Sequence, residues 1–274
     1  MPPFAYLISG SVVALITLRK GMAFGLQTII GSLLVLQLFS LLAGLPLSLS
    51  LAYALVIWLP VWLSSTSLRL SELQGLLLLT AALLAISLIV VTYLVVDDVA
   101  AWWKEWLNIM LEKAVPPDEL VRYQDALKPA AQLINAMMIV GLMLNIIMSV
   151  LCGRWWQSRL FNEGAFRREF YALRLPVMML PVSGLIVILM FIVPAPWHGM
   201  LRDILIVMIF MYLIQGISSV HRNVGKYKLS TGWLIAMYVM LIVLPQIGLF
   251  ISCLGMTDIY LNWRRKNNGA GIES

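Results

Sequence analysis

Charged residues are scarce in this chain, and long stretches have none at all. Asp, Glu, Lys and Arg make up 12% of the 274 residues, against about 25% in soluble domains. From Gly21 to Leu68, 48 consecutive residues include no Asp, Glu, Lys, Arg or His, and five further uncharged runs of 17 to 29 residues follow. About 20 apolar residues cross the hydrocarbon core of a bilayer as a helix, and a charge at its centre is costly. The sequence therefore predicts an all-α, polytopic transmembrane helix bundle surrounded by the lipid bilayer.

Cysteine and histidine are almost missing, which removes most of the material for a metal site. The chain has two of each; Cys152 and Cys253 have no CxxC partner, and His198 and His221 are 23 positions apart. The sequence also lacks a GxxxxGK[ST] phosphate loop, an HExxH metal helix and a GxSxG nucleophile elbow. We therefore predict a protein that is not an enzyme, with no catalytic residues, no bound metal and no cofactor.

The positive net charge of the chain does not indicate a nucleic-acid partner. The formal net charge is +6, and the Lys and Arg residues collect at the ends of the apolar runs, where basic residues set the orientation of membrane helices. The sequence contains no recognised nucleic-acid-binding motif. The more basic set of loops, which includes Arg154 to Arg174, is predicted to face the cytoplasm.

The apolar runs predict about eight membrane helices in a single integral membrane domain, residues 1–274. The 48-residue run must hold two helices, because one helix of that length would measure about 72 Å. Pro46 marks the break, since proline has no backbone N–H to donate within a helix. The predicted spans cover residues 4–18, 21–44, 46–65, 74–96, 129–152, 176–193, 204–220 and 232–257.

The polar stretch between the fourth and fifth predicted spans begins with an amphipathic helix, predicted over residues 100–113. Trp102, Trp103 and Trp106 recur there at helical spacing. Amphipathic helices that carry tryptophan on their apolar face lie in the plane of the membrane–water interface. We expect this helix to lie in that interface.

Arginine and aromatic residues alternate between Gly153 and Leu175. In such a segment the rings lie in the membrane interface while the guanidinium groups reach phosphates or acidic partners. Arg154, Arg167 and Arg168 are our candidates for docking a partner. The segment could also gate a substrate cavity, or it could be only an anchor that fixes the topology.

The polar side chains inside the predicted spans are mainly amides, and an amide in hydrocarbon needs a partner. They are Gln27, Gln37, Asn135, Asn145, Gln215 and Gln246. Gln215 and Gln246 are the candidates for binding a substrate, because a glycine follows the first and a proline precedes the second, and both open the backbone toward a cavity. With Trp155 and Trp156 they are predicted to line a pocket for a small, mostly apolar or aromatic molecule. The alternative is that the amides only join helices.

No acidic or basic residue lies inside a predicted span. Most ion-coupled transporters need such a group within the membrane. Its absence favours a second hypothesis, a non-transporting membrane scaffold in which the arginine-aromatic segment docks a cytoplasmic or membrane partner.

Short motifs along the whole chain, in this order, resemble a known family. They are Leu18-Arg-Lys-Gly21, Trp58-Leu-Pro-Val-Trp62, Asp98-Val-Ala-Ala-Trp-Trp103, Arg154-Trp-Trp-Gln157, Asn162-Glu-Gly-Ala-Phe-Arg-Arg-Glu-Phe170, Leu173-Arg-Leu-Pro176, Tyr212-Leu-Ile-Gln-Gly216, His221, Gly232-Trp-Leu234 and Pro245-Gln246. The most specific part is the stretch from Arg154 to Pro176. The pattern resembles the proteobacterial branch of the YybS-like predicted integral membrane proteins, a domain-of-unknown-function family.

This resemblance implies a multi-pass protein of the bacterial inner membrane. The architecture of the family is similar to that of the substrate-binding membrane components of energy-coupling-factor vitamin transporters. By that analogy the protein would bind a small molecule between its helices and would associate with a membrane coupling protein and separate ATPases. Analogy of fold does not identify a site, so the residues named above are the site candidates.

Overall fold

The computed structural model describes residues 3–116, 120–194 and 197–270. Helices make up 87% of the structure, and the described residues form no strand, which confirms the all-α fold class. The helices are α1 (Pro3–Lys20), α2 (Met22–Leu42), α3 (Leu47–Tyr53), α4 (Leu59–Ser71), α5 (Gln74–Val95), α6 (Val99–Ala114), α7 (Leu120–Phe161), α8 (Ala165–Tyr171), α9 (Met179–Ile192), α10 (His198–Lys226), α11 (Gly232–Val243) and α12 (Ile247–Ala270). A π-helical turn, Ala54–Trp58, joins α3 to α4.

Among the described residues, five helices are long and apolar enough to cross a membrane. They are Met22–Leu42, Leu47–Ser71, Gln74–Val95, Pro129–Phe161 and His198–Lys226. These helices agree with a membrane protein, but the predicted number of about eight spans is not confirmed. Helix α9 has 14 residues and α11 has 12. At 1.5 Å per residue they measure roughly 21 and 18 Å, which is less than the thickness of the hydrocarbon core.

Proline positions explain two of the helix boundaries. Pro46 lies between α2 and α3, as predicted from the length of the first apolar run. The predicted span 232–257 is divided in the structure into α11 and α12, with Pro245 between them. The division follows from the missing backbone N–H of proline and from the steric restriction that proline places on the preceding residue.

The amphipathic helix predicted over residues 100–113 is confirmed as α6. Asp98 caps its first turn, because the Oδ1 atom accepts a hydrogen bond from the Ala101 backbone N–H at 2.9 Å. Trp102 and Trp106 are 48% and 41% exposed, and the Trp103 ring meets both of them edge-on. The helix thus presents large apolar rings outward, and its location in a membrane interface stays a prediction.

The chain divides into two compact units, and each is described by itself. Unit 1 consists of Met1–Ala82, Met143–Val177 and Met211–Ser274, and unit 2 consists of Leu83–Leu142 and Met178–Phe210. Each unit collects segments that are far apart in the chain. The single integral membrane domain, residues 1–274, stays a prediction.

In unit 1, two glycines allow the backbones of α10 and α12 to touch. A Cβ atom on Gly216 of α10 would overlap the carbonyl oxygen of Ile251 in α12, and a Cβ atom on Gly255 of α12 would overlap the carbonyl oxygen of Tyr212 in α10. Small residues at facing positions are the usual means of such close helix packing in membrane proteins. The contact fixes the position of the polar side chains that follow on both helices.

Candidate functional site

An aromatic groove in unit 1 is the best candidate for a functional site. Its volume is 570 Å³, within the range of about 300–1,000 Å³ that is usual for small-molecule pockets. Residues of α7, α8, α10 and α11 line it: Met148, Leu151, Cys152, Trp155, Phe166, Arg167, Phe170, Tyr171, His221 and Tyr238. Most of these side chains are apolar or aromatic, and one is a cation.

A tight turn between α7 and α8 positions the aromatic residues of α8. Gly164 has a φ of +78°, a conformation that glycine adopts without strain. The buried Ser158 hydroxyl donates a hydrogen bond to the Asn162 carbonyl oxygen at 2.9 Å and accepts one from the Phe166 backbone N–H at 3.2 Å. Because one side chain bonds to both sides of the turn, the start of α8 is fixed against the last turn of α7.

Four ring side chains form the wall of the groove: Phe166, Phe170, His221 and Tyr238. The rings of Phe166 and Phe170, four residues apart on α8, are stacked with centroids 6.2 Å apart, and the Phe170 ring meets the His221 ring edge-on at 5.6 Å. His221 Nε2 lies 2.9 Å from the Tyr238 hydroxyl, so the two share a hydrogen bond. Stacked and edge-on pairs are the favourable arrangements for aromatic rings. The wall therefore offers apolar ring faces and ring edges with one polar pair among them.

Arg167 supplies the positive charge at this groove. Its Nε atom donates a hydrogen bond to the Tyr171 hydroxyl at 3.0 Å, and its Cζ atom lies 5.3 Å from the centre of the Tyr171 ring. The ion pairs found among the described residues include no carboxylate partner for Arg167. The exposed guanidinium can therefore bind an acidic group of a ligand whose apolar part lies against the rings.

The four predicted substrate-binding residues do not come together. Trp155 lines the groove and is 46% exposed, whereas Trp156 is not among the lining residues. Gln215 is fully buried; its Oε1 accepts a hydrogen bond from the Leu175 backbone N–H at 3.1 Å, and its Nε2 donates to Asp258 Oδ2 at 2.6 Å.

Gln246 lies exposed between α11 and α12, away from the groove lining. For Gln215, these contacts fit the alternative in which the amide joins helices. They leave Trp155 as the predicted substrate residue that the groove contains.

The three predicted docking arginines have three different environments. Arg154 pairs with Glu169, with Nε–Oε2 and Nη2–Oε1 distances of 2.8 and 2.5 Å, and both side chains are about three-quarters buried at 24% and 23% exposure. This bidentate pair joins α7 to α8. Arg167 lies at the aromatic groove, and Arg168 is exposed on α8. The pairing makes Arg154 a structural residue of the segment.

In unit 2, the structure contains a buried acid that the sequence analysis placed outside the spans. Asp203 of α10 is completely buried; its Oδ2 atom accepts hydrogen bonds from the Tyr93 hydroxyl at 3.1 Å and from Asn135 Nδ2 at 2.8 Å. Its Oδ1 atom lies 3.1 Å from Arg202 Nη2. Asp203 belongs to the helix that forms the candidate span His198–Lys226, one residue before the predicted span 204–220. That no charged residue lies inside a membrane span stays a prediction.

The α10 helix begins before the uncharged run, so a span predicted from that run does not include Asp203. The predicted span began at Ile204, where the last charge ends, but a partnered carboxylate is compatible with a buried helix face. Val207, one turn later, is fully buried, so Asp203 continues the same face. The four-residue spacing between Asp203 and the apolar Val207 is the sequence signal that places Asp203 on this face.

No family model matches the sequence, and neither a curated protein nor a solved structure gives a match. The resemblance to the YybS-like proteins therefore stays a prediction.

Proposed function

We propose that this protein binds a small molecule with a flat apolar or aromatic body and an acidic group, in the aromatic groove of unit 1. The single observation that carries the proposal is the convergence of stacked rings, the His221–Tyr238 pair and the Arg167 cation on one 570 Å³ groove. Known small-molecule sites have the same composition, with largely apolar walls and a few placed polar groups.

Each part of the groove can contact a different part of the proposed ligand. The Phe166 and Phe170 rings and the exposed Trp155 can stack on an aromatic or other flat body. The Tyr238 hydroxyl can exchange its hydrogen bond with His221 for one with a ligand oxygen or nitrogen, because both atoms act as donor or acceptor. Arg167 can bind a carboxylate in a bidentate manner at the rim.

The biological setting that we propose is a multi-pass protein of the bacterial inner membrane with about eight spans and a transport-related function. The five long apolar helices support the membrane location. The resemblance to YybS-like proteins supports the bacterial inner membrane and a separate coupling protein with ATPases. In that setting the groove would hold the solute that the partner proteins help to move.

The proposal predicts that small aromatic carboxylates stabilise the purified protein more than the matching neutral amides do. We expect the carboxylates to raise the melting temperature in mild detergent, and Trp155→Ala to weaken their binding about tenfold, which corresponds to ~1.4 kcal/mol. The measurement is a thermal-shift titration, preceded by mass spectrometry of small molecules that co-purify with the protein.

Trp102→Ala on α6 is the matched control for this experiment. It is the same substitution, and Trp102 is 48% exposed where Trp155 is 46% exposed. We expect the control to bind as the unmodified protein does. Equal binding by the two variants, or no carboxylate that stabilises the protein, would count against the groove.

The second candidate function is a scaffold, and exposed Arg168 beside Arg167 on α8 is the observation that favours it. Replacing Arg167 and Arg168 with glutamine, while Arg154 keeps its pair with Glu169, separates the two functions. A scaffold would lose a co-purifying protein partner, since its docking surface is gone. A ligand-binding protein would lose affinity for the aromatic carboxylates, because Arg167 is gone.

A further inference from the structure

A second cavity of unit 1, separate in its lining residues from the aromatic groove, carries an inference of its own. Its volume is 370 Å³, and it lies between the last turns of α10, the α12 helix and the chain at Arg174. Its lining is polar and basic, and includes Arg174, Arg222, Lys226, Ser219, Asn223 and Thr257. Leu254 and Leu261 of α12 adjoin these polar groups.

One cation of this cavity is held in place by the protein. Arg222 Nη2 lies 2.5 Å from Asp258 Oδ1 and donates to the Ser219 hydroxyl at 3.2 Å, while Nη1 donates to the Tyr171 carbonyl oxygen at 3.1 Å. Asp258 is fixed in turn by the buried Gln215 amide at 2.6 Å. The guanidinium is therefore rigid and oriented before any ligand arrives.

In the described part of the chain the other two cations have no carboxylate partner, although Arg174 Nη1 donates to the Leu173 carbonyl oxygen at 2.8 Å. Among the described residues, the ion pairs leave Arg174 and Lys226 without a carboxylate. With one acid, Asp258, against three cations, the cavity has an excess of two positive charges. Like charges held together in a partly enclosed space repel one another, and a bound anion relieves that repulsion.

The protonation behaviour of Arg174 agrees with this excess of charge. Loss of solvent around the guanidinium lowers the pKa of Arg174, and the positive charge of Arg222 lowers it further, against an opposing effect of Asp258. Arg174 thus lies within electrostatic reach of Arg222, in a setting that an anion would stabilise.

We propose that this cavity binds the phosphate group of an anionic ligand, with Arg174, Arg222 and Lys226 as its cationic contacts. Guanidinium groups bind phosphate oxygens in pairs, lysine adds a mobile point charge, and the Asn223 amide can donate to a remaining oxygen. Basic clusters at the ends of membrane helices are also the usual sites for anionic lipid headgroups. The phosphate can belong to such a headgroup or to a free phosphate compound.

The test uses the full chain in neutral detergent micelles, titrated separately with phosphatidylglycerol and with glycerol 3-phosphate, and the dissociation constants come from thermal unfolding. Arg174→Gln with Lys226→Gln leaves the Arg222–Asp258 pair intact. We expect this double variant to weaken binding by roughly 30-fold, from the loss of two basic groups. Lys226→Gln alone should weaken binding by roughly fivefold. This single variant replaces the double variant in the test if the double variant does not fold.

Lys20→Gln with Arg159→Gln is the matched control, because it removes one lysine and one arginine that are both exposed in unit 1. The control should bind within about twofold of the unmodified protein. Stabilisation by the lipid alone supports a headgroup as the ligand, and stabilisation by both compounds supports a soluble phosphate compound. Binding by neither compound, or an equal loss in the control, overturns the proposal. This result is independent of the aromatic groove.

Discussion

Asp203→Ala is expected to lower the free energy of unfolding by about 3 kcal/mol, because it leaves the buried Asn135 amide and the partly buried Tyr93 hydroxyl without their acceptor. The Tyr93 hydroxyl and the Asn135 amide both donate to Asp203 Oδ2, and the carboxylate is completely buried. The Arg202 side chain is 27% exposed, so water compensates part of its loss. The larger share of the effect therefore comes from the two neutral donors.

Asp203→Asn and Asp97→Ala give this prediction its controls. The asparagine keeps an acceptor of the same shape while removing the charge, so we expect a smaller loss of about 1–2 kcal/mol. Asp97 is exposed, and its replacement should change stability by less than about 0.5 kcal/mol. The measurement is denaturant unfolding in mild detergent, followed by far-ultraviolet circular dichroism. An Asp203→Ala protein as stable as Asp97→Ala would contradict the buried network.

The sequence was sufficient to predict those helices whose ends coincide with a physical break in the chain. The span predicted over residues 74–96 is α5, Gln74–Val95, because polar residues and a loop flank it directly. The helix predicted over residues 100–113 is α6, where Asp98 supplies a recognisable cap. In both cases the predicted and observed ends agree within one residue.

Predicted and observed helix ends differ where the uncharged apolar run and the helix do not have the same length. α10 extends beyond the predicted 204–220 on both sides. At its start the helix can include Asp203, because Tyr93 and Asn135, 110 and 68 residues away, donate to this carboxylate. Hydropathy alone cannot show such partners. The predicted last span, in contrast, was too long, since the apolar run through Pro245 hides a break in the backbone.

The sequence predicted the kinds of residue found at the candidate site, but it did not predict which of them lie together. Trp155 and Arg167 were identified in two separate roles, and the structure brings both to one groove. His221 and Tyr238, which complete it, come from helices that no sequence pattern links to α8. For Gln215 the sequence left substrate binding and helix joining both open, because it could not show the hydrogen bond to Asp258, 43 residues away.

Gly216→Ala is expected to destabilise the protein by about 2–3 kcal/mol, through overpacking between α10 and α12. The added Cβ atom would meet the Ile251 carbonyl oxygen, which is backbone and cannot move aside as a side chain would. The same substitution at Gly141 of α7, where nothing lies within 4 Å of an added Cβ atom, should stabilise the helix by about 0.5–1 kcal/mol, because alanine is the better helix former. We therefore expect thermal unfolding in the same detergent to show a lower melting temperature for Gly216→Ala and a higher one for Gly141→Ala, although the chemical change is the same. If Gly216→Ala melts at or above the temperature of Gly141→Ala, the two backbones do not touch as described, and the rigid placement of Arg222 and Asp258 beyond them loses its basis.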